Sequence, residues 1–239
     1  MTRMFMPLLV LAATAAPAAG QSLSVDFGDG SSLTTRSVQL IVLITLLSLV
    51  PALGMMITCF PFIVTVLSIL RQAIGLQQAP PNMLIVSLAL FLTWYIMDPV
   101  FTEAWTRGIE PLTRNEIDIQ QALVLASAPF RGFMAARLDL ETFSTLQALR
   151  PGEISPPLEA PFSVLVPSFL LSEIQRAFEI GFLIFLPFLI IDLVVAAVLM
   201  SMGMMMVPPA VVSMPFKLAF FVVGDGWSLI SGALVRSYF

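Results

Sequence analysis

Three stretches without a single charged side chain, 37–70, 72–97 and 193–216, most constrain what this 239-residue chain can fold into. Crossing about 30 Å of hydrocarbon takes roughly 20 apolar residues in a helix, and the first stretch is longer than that. With 58% hydrophobic and 11% charged residues, the composition lies outside the soluble range. The chain reads as an all-α, multi-pass membrane protein. Its charges gather mostly between Asp98 and Glu159, leaving a polar middle and two apolar ends. The net charge of -4 and the scattered Lys and Arg give no basic patch, which excludes nucleic acid as a partner. No histidine is present and Cys59 is the single cysteine, so the usual zinc, haem and Ser-His-Asp chemistries fall away, as does an intramolecular disulfide. No catalytic residue, metal or cofactor is assigned, and the chain is not read as an enzyme.

Breakers and composition divide the chain. Residues 1–20 read as a signal peptide: Arg3 precedes a short apolar stretch and the small residues "APAAG" follow, with an uncleaved anchor as the alternative. Residues 21–37, rich in Gly, Ser and Asp, form a flexible extracytoplasmic lead-in. Residues 38–101 make a first hydrophobic helical pair. Its first part, interrupted by Pro51, Gly54 and Pro61, is one broken helix or a span plus a shorter piece. Arg71 ends that part, and the second helix, 83–101, carries Trp94 and Tyr95 at an interfacial end. Residues 102–162 form a small acidic, helical, extracytoplasmic domain, with Asn115 and Asp139 as helix caps and little core of its own. Residues 163–239 hold a second hydrophobic pair: a long helix broken or kinked at Pro187, a Met-rich loop at 202–209, and a last helix from Pro215 interrupted at "GDG". Arg71 and Lys217 belong on the cytoplasmic side if the signal is cleaved and the acidic domain exported.

Several charges sit where charge is costly. A lone ion at the bilayer centre costs about 2.5 to 3.5 kcal/mol on insertion scales. Glu173, Arg176 and Glu179, three apart on a helix, form an ion-pair ladder at a membrane boundary, or such a ladder with one net negative charge kept for a neighbouring subunit. Asp98, Asp192, Lys217 and Asp225 are the other intramembrane charges. Asp192 has no basic residue within a turn, and the first carboxylate after Lys217 is Asp225, roughly 12 Å away along a helix. Their partners must lie elsewhere. Proton relay and docking against other subunits are both open, and assembly is preferred because no second carboxylate or histidine lies one turn from Asp192. Met204, Met205 and Met206 cannot all face one side of a helix, and with Gly203, Pro208 and Pro209 around them they suit a loop. By composition alone the same methionines would be gap-filling core.

The strings "QAPPNMLIVSLALFLTWYIMDPV", "SEIQRAFEIGFLIFLPFLIIDLVVAAVLMSMGMMMVPP" and "PFKLAFFVVGDGW" resemble the FliP/SctR family of type III secretion export-gate proteins, in its flagellar branch, over residues 38–236. The resemblance implies a helical, oligomeric gate in the bacterial inner membrane at the flagellar basal body. That gate is a homo-oligomer joined by FliQ and FliR, acts beside FlhB and FlhA-like export proteins, and passes unfolded flagellar subunits. It further implies that Met204, Met205 and Met206 form a pore gasket, that Glu173, with Arg176 and Glu179 beside it, contacts a neighbouring subunit, and that Phe133 and Phe143 support assembly. One departure stands out: Pro61 and Phe62 in "CFPFI" replace the family's Thr-Arg pair in "SFTRI". An SctR-like injectisome gate is the close alternative; the signal-like start and the length of the acidic segment favour the flagellar branch. An ion-coupled transporter using Asp192 or Asp98 is a distant alternative, and an intramembrane hydrolase has neither a histidine base nor a nucleophile motif.

Overall fold

A computed structural model describes residues 33–75, 80–150, 155–204 and 206–239. The expected signal peptide and most of the lead-in lie outside the described residues. Every regular element among the described residues is helical: α1 (Leu33–Met56), α2 (Phe60–Ile74), α3 (Asn82–Ala104), a π-helical turn (Trp105–Ile109), α4 (Glu110–Thr113), α5 (Ile119–Arg137), α6 (Leu140–Ala148), α7 (Phe162–Ser201), α8 (Pro209–Val223) and α9 (Gly226–Arg236). Helix already begins at Leu33, inside the segment expected to be a flexible lead-in. Ser37–Met56, Asn82–Thr113 and Phe162–Ser201 are long and apolar enough to cross a membrane, and α8 with α9, bent by 62°, makes a fourth if the pair counts as one span.

The chain divides into two units, Met1–Ser48 and Leu49–Phe239. In the first, the described residues belong to α1, whose Val38, Ile41, Ile44 and Leu47 are exposed. The second is organised around α2. Its Phe62, Ile63, Val66, Leu67, Leu70, Ala73 and Ile74 recur at helical spacing and are all buried. Each large side chain so buried contributes about 1.5 to 3 kcal/mol. Around them gather Ile85, Ala89, Ile96 and Met97 of α3, Ala177 and Phe188 of α7, Phe221 of α8 and Leu234 of α9. A second cluster, Met134, Leu138, Phe143, Ala160, Val164, Leu165 and Phe169, joins the α5–α6 hairpin to the first turns of α7. The acidic middle therefore borrows its apolar core from α7.

Proline placement explains where helices stop and where they do not. α1 passes through Pro51 and Gly54 and ends at Met56. The break falls at 57–59, where Thr58 Oγ1 donates to Met55 O (2.9 Å) and accepts from Phe60 N (3.3 Å). Pro61 lies in the first turn of α2, where its missing N–H costs nothing. α2 continues past Arg71 to Ile74 and closes on Gly75 at φ 87. α7 runs through Pro187 without a break, leaving a kink as the surviving half of the expectation, and at 40 residues is about 60 Å long, twice the hydrocarbon thickness. Pro208 and Pro209 begin α8, so the last apolar segment starts before Pro215, which lies inside the helix. The expected interruption at "GDG" is present, with Asp225 at φ 47. Asp139 caps α6, accepting from Thr142 N at 2.8 Å. Asn115 does not cap α5: it sits at φ 57 in the preceding bend, and Asp118 takes the position before the helix.

Close helix approach depends on one glycine in particular. A Cβ at Gly108, in the π-helical turn, would lie 2.6 Å from Ala126 Cβ and 2.8 Å from Ala122 O on α5. Gly132, also helical, has open space where a Cβ would go. Thermal unfolding in detergent should therefore show Gly108→Ala destabilised by about 1 to 3 kcal/mol through overpacking, and Gly132→Ala stabilised by up to about 1 kcal/mol.

Candidate functional site

Two polar clusters interrupt this apolar interior. The first centres on Glu173, whose side chain has no exposed surface. α7 presents it to the end of α5, where Arg137 Nε lies 3.3 Å from Oε1, while Arg176, one turn along α7, lies 3.7 Å from the same oxygen. The Tyr238 hydroxyl donates to the other oxygen, Oε2. Arg137 is itself held twice more: Nη1 donates to Ser237 O (2.7 Å) and the guanidinium lies 4.0 Å over the Tyr238 ring. Phe133 stacks on that ring at 6.0 Å and meets Phe169 edge-on at 5.7 Å; Phe62 meets it edge-on at 5.5 Å. Ser172 Oγ accepts from Asp139 N (2.8 Å), tying the start of α6 to α7.

This arrangement redraws the expected ladder. Arg176 pairs with Glu173, whereas Glu179 accepts from Gln175 Nε2 at 3.1 Å. Arg137 adds a second cation to Glu173, so the buried carboxylate is over-neutralised and keeps no spare negative charge. Phe133 lies against this cluster, and Phe143 is buried in the α5–α6–α7 core next to it. Phe62 is wholly buried in α2's packing face. Sequence spacing gave no sign of Arg137 and Tyr238, which lie 36 and 65 residues from Glu173.

The second cluster joins two charges whose partners were expected elsewhere. Lys217 Nζ on α8 lies 2.6 Å from Asp192 Oδ2 on α7, and Ser213 Oγ, one turn before Lys217, donates to Asp192 Oδ1 at 2.5 Å. Folding α8 back along α7 brings together groups 25 residues apart. Lys217 Nζ also lies 3.9 Å from where a Gly75 Cβ would stand, close to the C-terminus of α2, whose carbonyl end favours a cation. Asp98 and Asp225 are exposed and belong to neither cluster.

The turn between α7 and α8 is the methionine segment. Gly203 at φ 75 ends α7, with Gly203 N donating to Met200 O and Met204 N to Leu199 O, both at 3.0 Å. Met206 is 98% exposed and Met204 41%; Met205 lies outside the described residues. Met202 and Met204 also line an apolar crevice of about 560 Å³ with Val198, Leu199, Val212 and Phe216.

Cys59, buried at the α1–α2 break, is chemically quiet. Burial pushes its thiol up to about 12 and the Glu173 charge adds to the rise, while a Thr93 hydrogen bond opposes it. A maleimide should leave Cys59 unlabelled at pH 8 in the folded protein and label it after denaturation in SDS. Removing one partner of a buried ion pair leaves the other uncompensated. Lys217→Met should accordingly cost about 3 kcal/mol in thermal unfolding, and Asp192→Asn with Lys217→Met together should cost less than Lys217→Met alone.

The fold and these clusters define an all-helical protein with apolar helices long enough for a membrane, whose buried ions hold one helix to another. Residues 43–234 match the FliP family, and the chain belongs to it. The flagellar biosynthetic protein FliP of Caulobacter vibrioides is 49% identical over 227 residues, covering 94% of this chain and 85% of that protein. The protein of the same name from Agrobacterium fabrum is 49% identical over 199 residues, covering 82% and 81% respectively. That of Aquifex aeolicus is 41% identical over 219 residues, covering 90% and 91%. Membership places the chain among flagellar biosynthesis proteins.

Proposed function

We propose that the chain is a core subunit of the flagellar type III protein export gate, in the bacterial inner membrane at the flagellar basal body. Several copies assemble with FliQ and FliR into a helical channel for unfolded flagellar subunits, beside FlhB and FlhA-like proteins. The observation that carries this reading is 49% identity over 94% of the chain to a flagellar biosynthetic protein.

The geometry supports the reading in three ways. α1 and the distal half of α7 expose large apolar side chains, among them Ile44, Leu47, Ile190 and Leu193, which lipid or neighbouring helices would cover. Glu173 has both oxygens engaged within the chain, so Arg176 and the exposed Glu179 are the groups this cluster offers to a neighbour. Phe133 and Phe143, packed against Glu173's surroundings, would then support assembly by holding the α5–α6 hairpin on α7. Residues 102–162 form the extracytoplasmic part in this reading. Third, unbranched thioether side chains at a helix break, with Met206 fully outward, suit a deformable seal made of Met204, Met205 and Met206 in each subunit. Asp192, held by Lys217 and Ser213, gives little support to an ion-coupled transporter.

Deleting the gene should abolish motility and secretion of flagellar subunits, with both restored by the wild-type copy. Met204, Met205 and Met206 changed together to alanine should make the membrane leak small ions. Tight sealing with normal secretion in that variant would remove the gasket assignment.

A further inference from the structure

Tyr238 packs on the first apolar cluster beside the buried carboxylate, and Phe133, which touches both clusters, links it to the second. Its ring lies between Phe62 of α2 and Phe133 of α5, and Phe133 in turn packs on Phe169 in the second cluster. Its hydroxyl donates to Glu173 Oε2, and its ring and the neighbouring Ser237 carbonyl hold Arg137 from two directions. α9, which leads to it, has only Leu234 fully buried and follows a 62° bend at an exposed Asp225. Few other contacts tie this arm to α5 and α7.

We infer that Tyr238 is a positioning residue: by donating to Glu173 and covering Arg137, it keeps the carboxylate turned into the chain, where Arg137 and Arg176 both face it. Without the hydroxyl, Oε2 would be a buried charged acceptor with no donor, a loss usually larger than that of a neutral hydrogen bond. Without the ring, Arg137 would lose its aromatic cover and Phe62 and Phe133 their common neighbour. Burial, with the Glu173 charge after it, pushes the Tyr238 hydroxyl above the ordinary phenol range, so it remains a proton donor. The other charged or titratable groups that act on it are Arg137 and Cys59.

The test uses the full chain purified in mild detergent and does not depend on secretion, so it stands or falls separately from the export-gate reading. Tyr238→Phe keeps the ring and removes only the hydroxyl. It should lower the melting temperature by about 5 °C in the otherwise wild-type chain and by less than about 1 °C when Glu173→Gln is already present. Equal shifts in both backgrounds would overturn the inference, because a purely structural tyrosine is indifferent to the carboxylate. Should Glu173→Gln fail to accumulate, Cys59 supplies a second readout, since it feels the Glu173 charge and is otherwise buried. Tyr238→Phe should then let a maleimide label Cys59 detectably at pH 8, where the folded wild type stays unlabelled, as water follows the unpaired carboxylate. Cys59 still unlabelled in that variant would overturn the inference.

Discussion

A fully buried carboxylate is the constraint around which the larger unit is arranged. Glu173 lies in an interior of phenylalanine, leucine and alanine, and an ion left alone there would cost several kcal/mol. Its neutralisation recruits Arg176 from its own helix, Arg137 from α5 and Tyr238 from beyond α9. Each recruit fixes an element that apolar packing alone would hold less specifically, because burial of apolar area has no preferred direction. Arg137 sets the end of α5 against α7, and Asp139, two residues on, then opens α6 through its own cap and through Ser172. The Asp192–Lys217–Ser213 cluster does the same for the α7–α8 hairpin.

Between these two clusters the energy comes from α2. Its short, strongly one-sided helix packs against α7, with Gly181 permitting a close approach at Ile69, and it gathers residues of α3, α8 and α9 around it. The methionine turn follows the Asp192–Lys217 clasp along α7, so the helices that carry it are held together while Met204 and Met206 stay exposed.

Much of the architecture was legible in the chain's punctuation. Charge-free stretches marked the apolar helices, Gly203 and Pro208 the methionine turn, "GDG" the final bend, and Asp139 the start of α6, because each acts over a few residues. Helix ends governed by proline were less so. Pro187 was tolerated inside α7, and Pro209 opened a helix instead of only stopping one, since the effect of proline depends on whether its missing N–H falls in a first turn. The candidate site was legible in kind and not in connection. Glu173, Arg176, Asp192 and Lys217 could be singled out as charges needing partners, yet the partners are set by how helices cross. Arg137, Tyr238 and the Asp192–Lys217 pairing are separated from their partners by 25 to 65 residues, beyond any local spacing rule.

With Glu173 and Asp192 each paired inside the chain, the described residues present outward mainly apolar helix faces together with Met204 and Met206, the surface that a subunit of the proposed gate would cover with neighbours. The mass of the complex extracted from cells in mild detergent tests this most directly. Native mass spectrometry should find several copies of the chain bound with FliQ-like and FliR-like subunits. A single chain surrounded only by lipid and detergent would contradict the account.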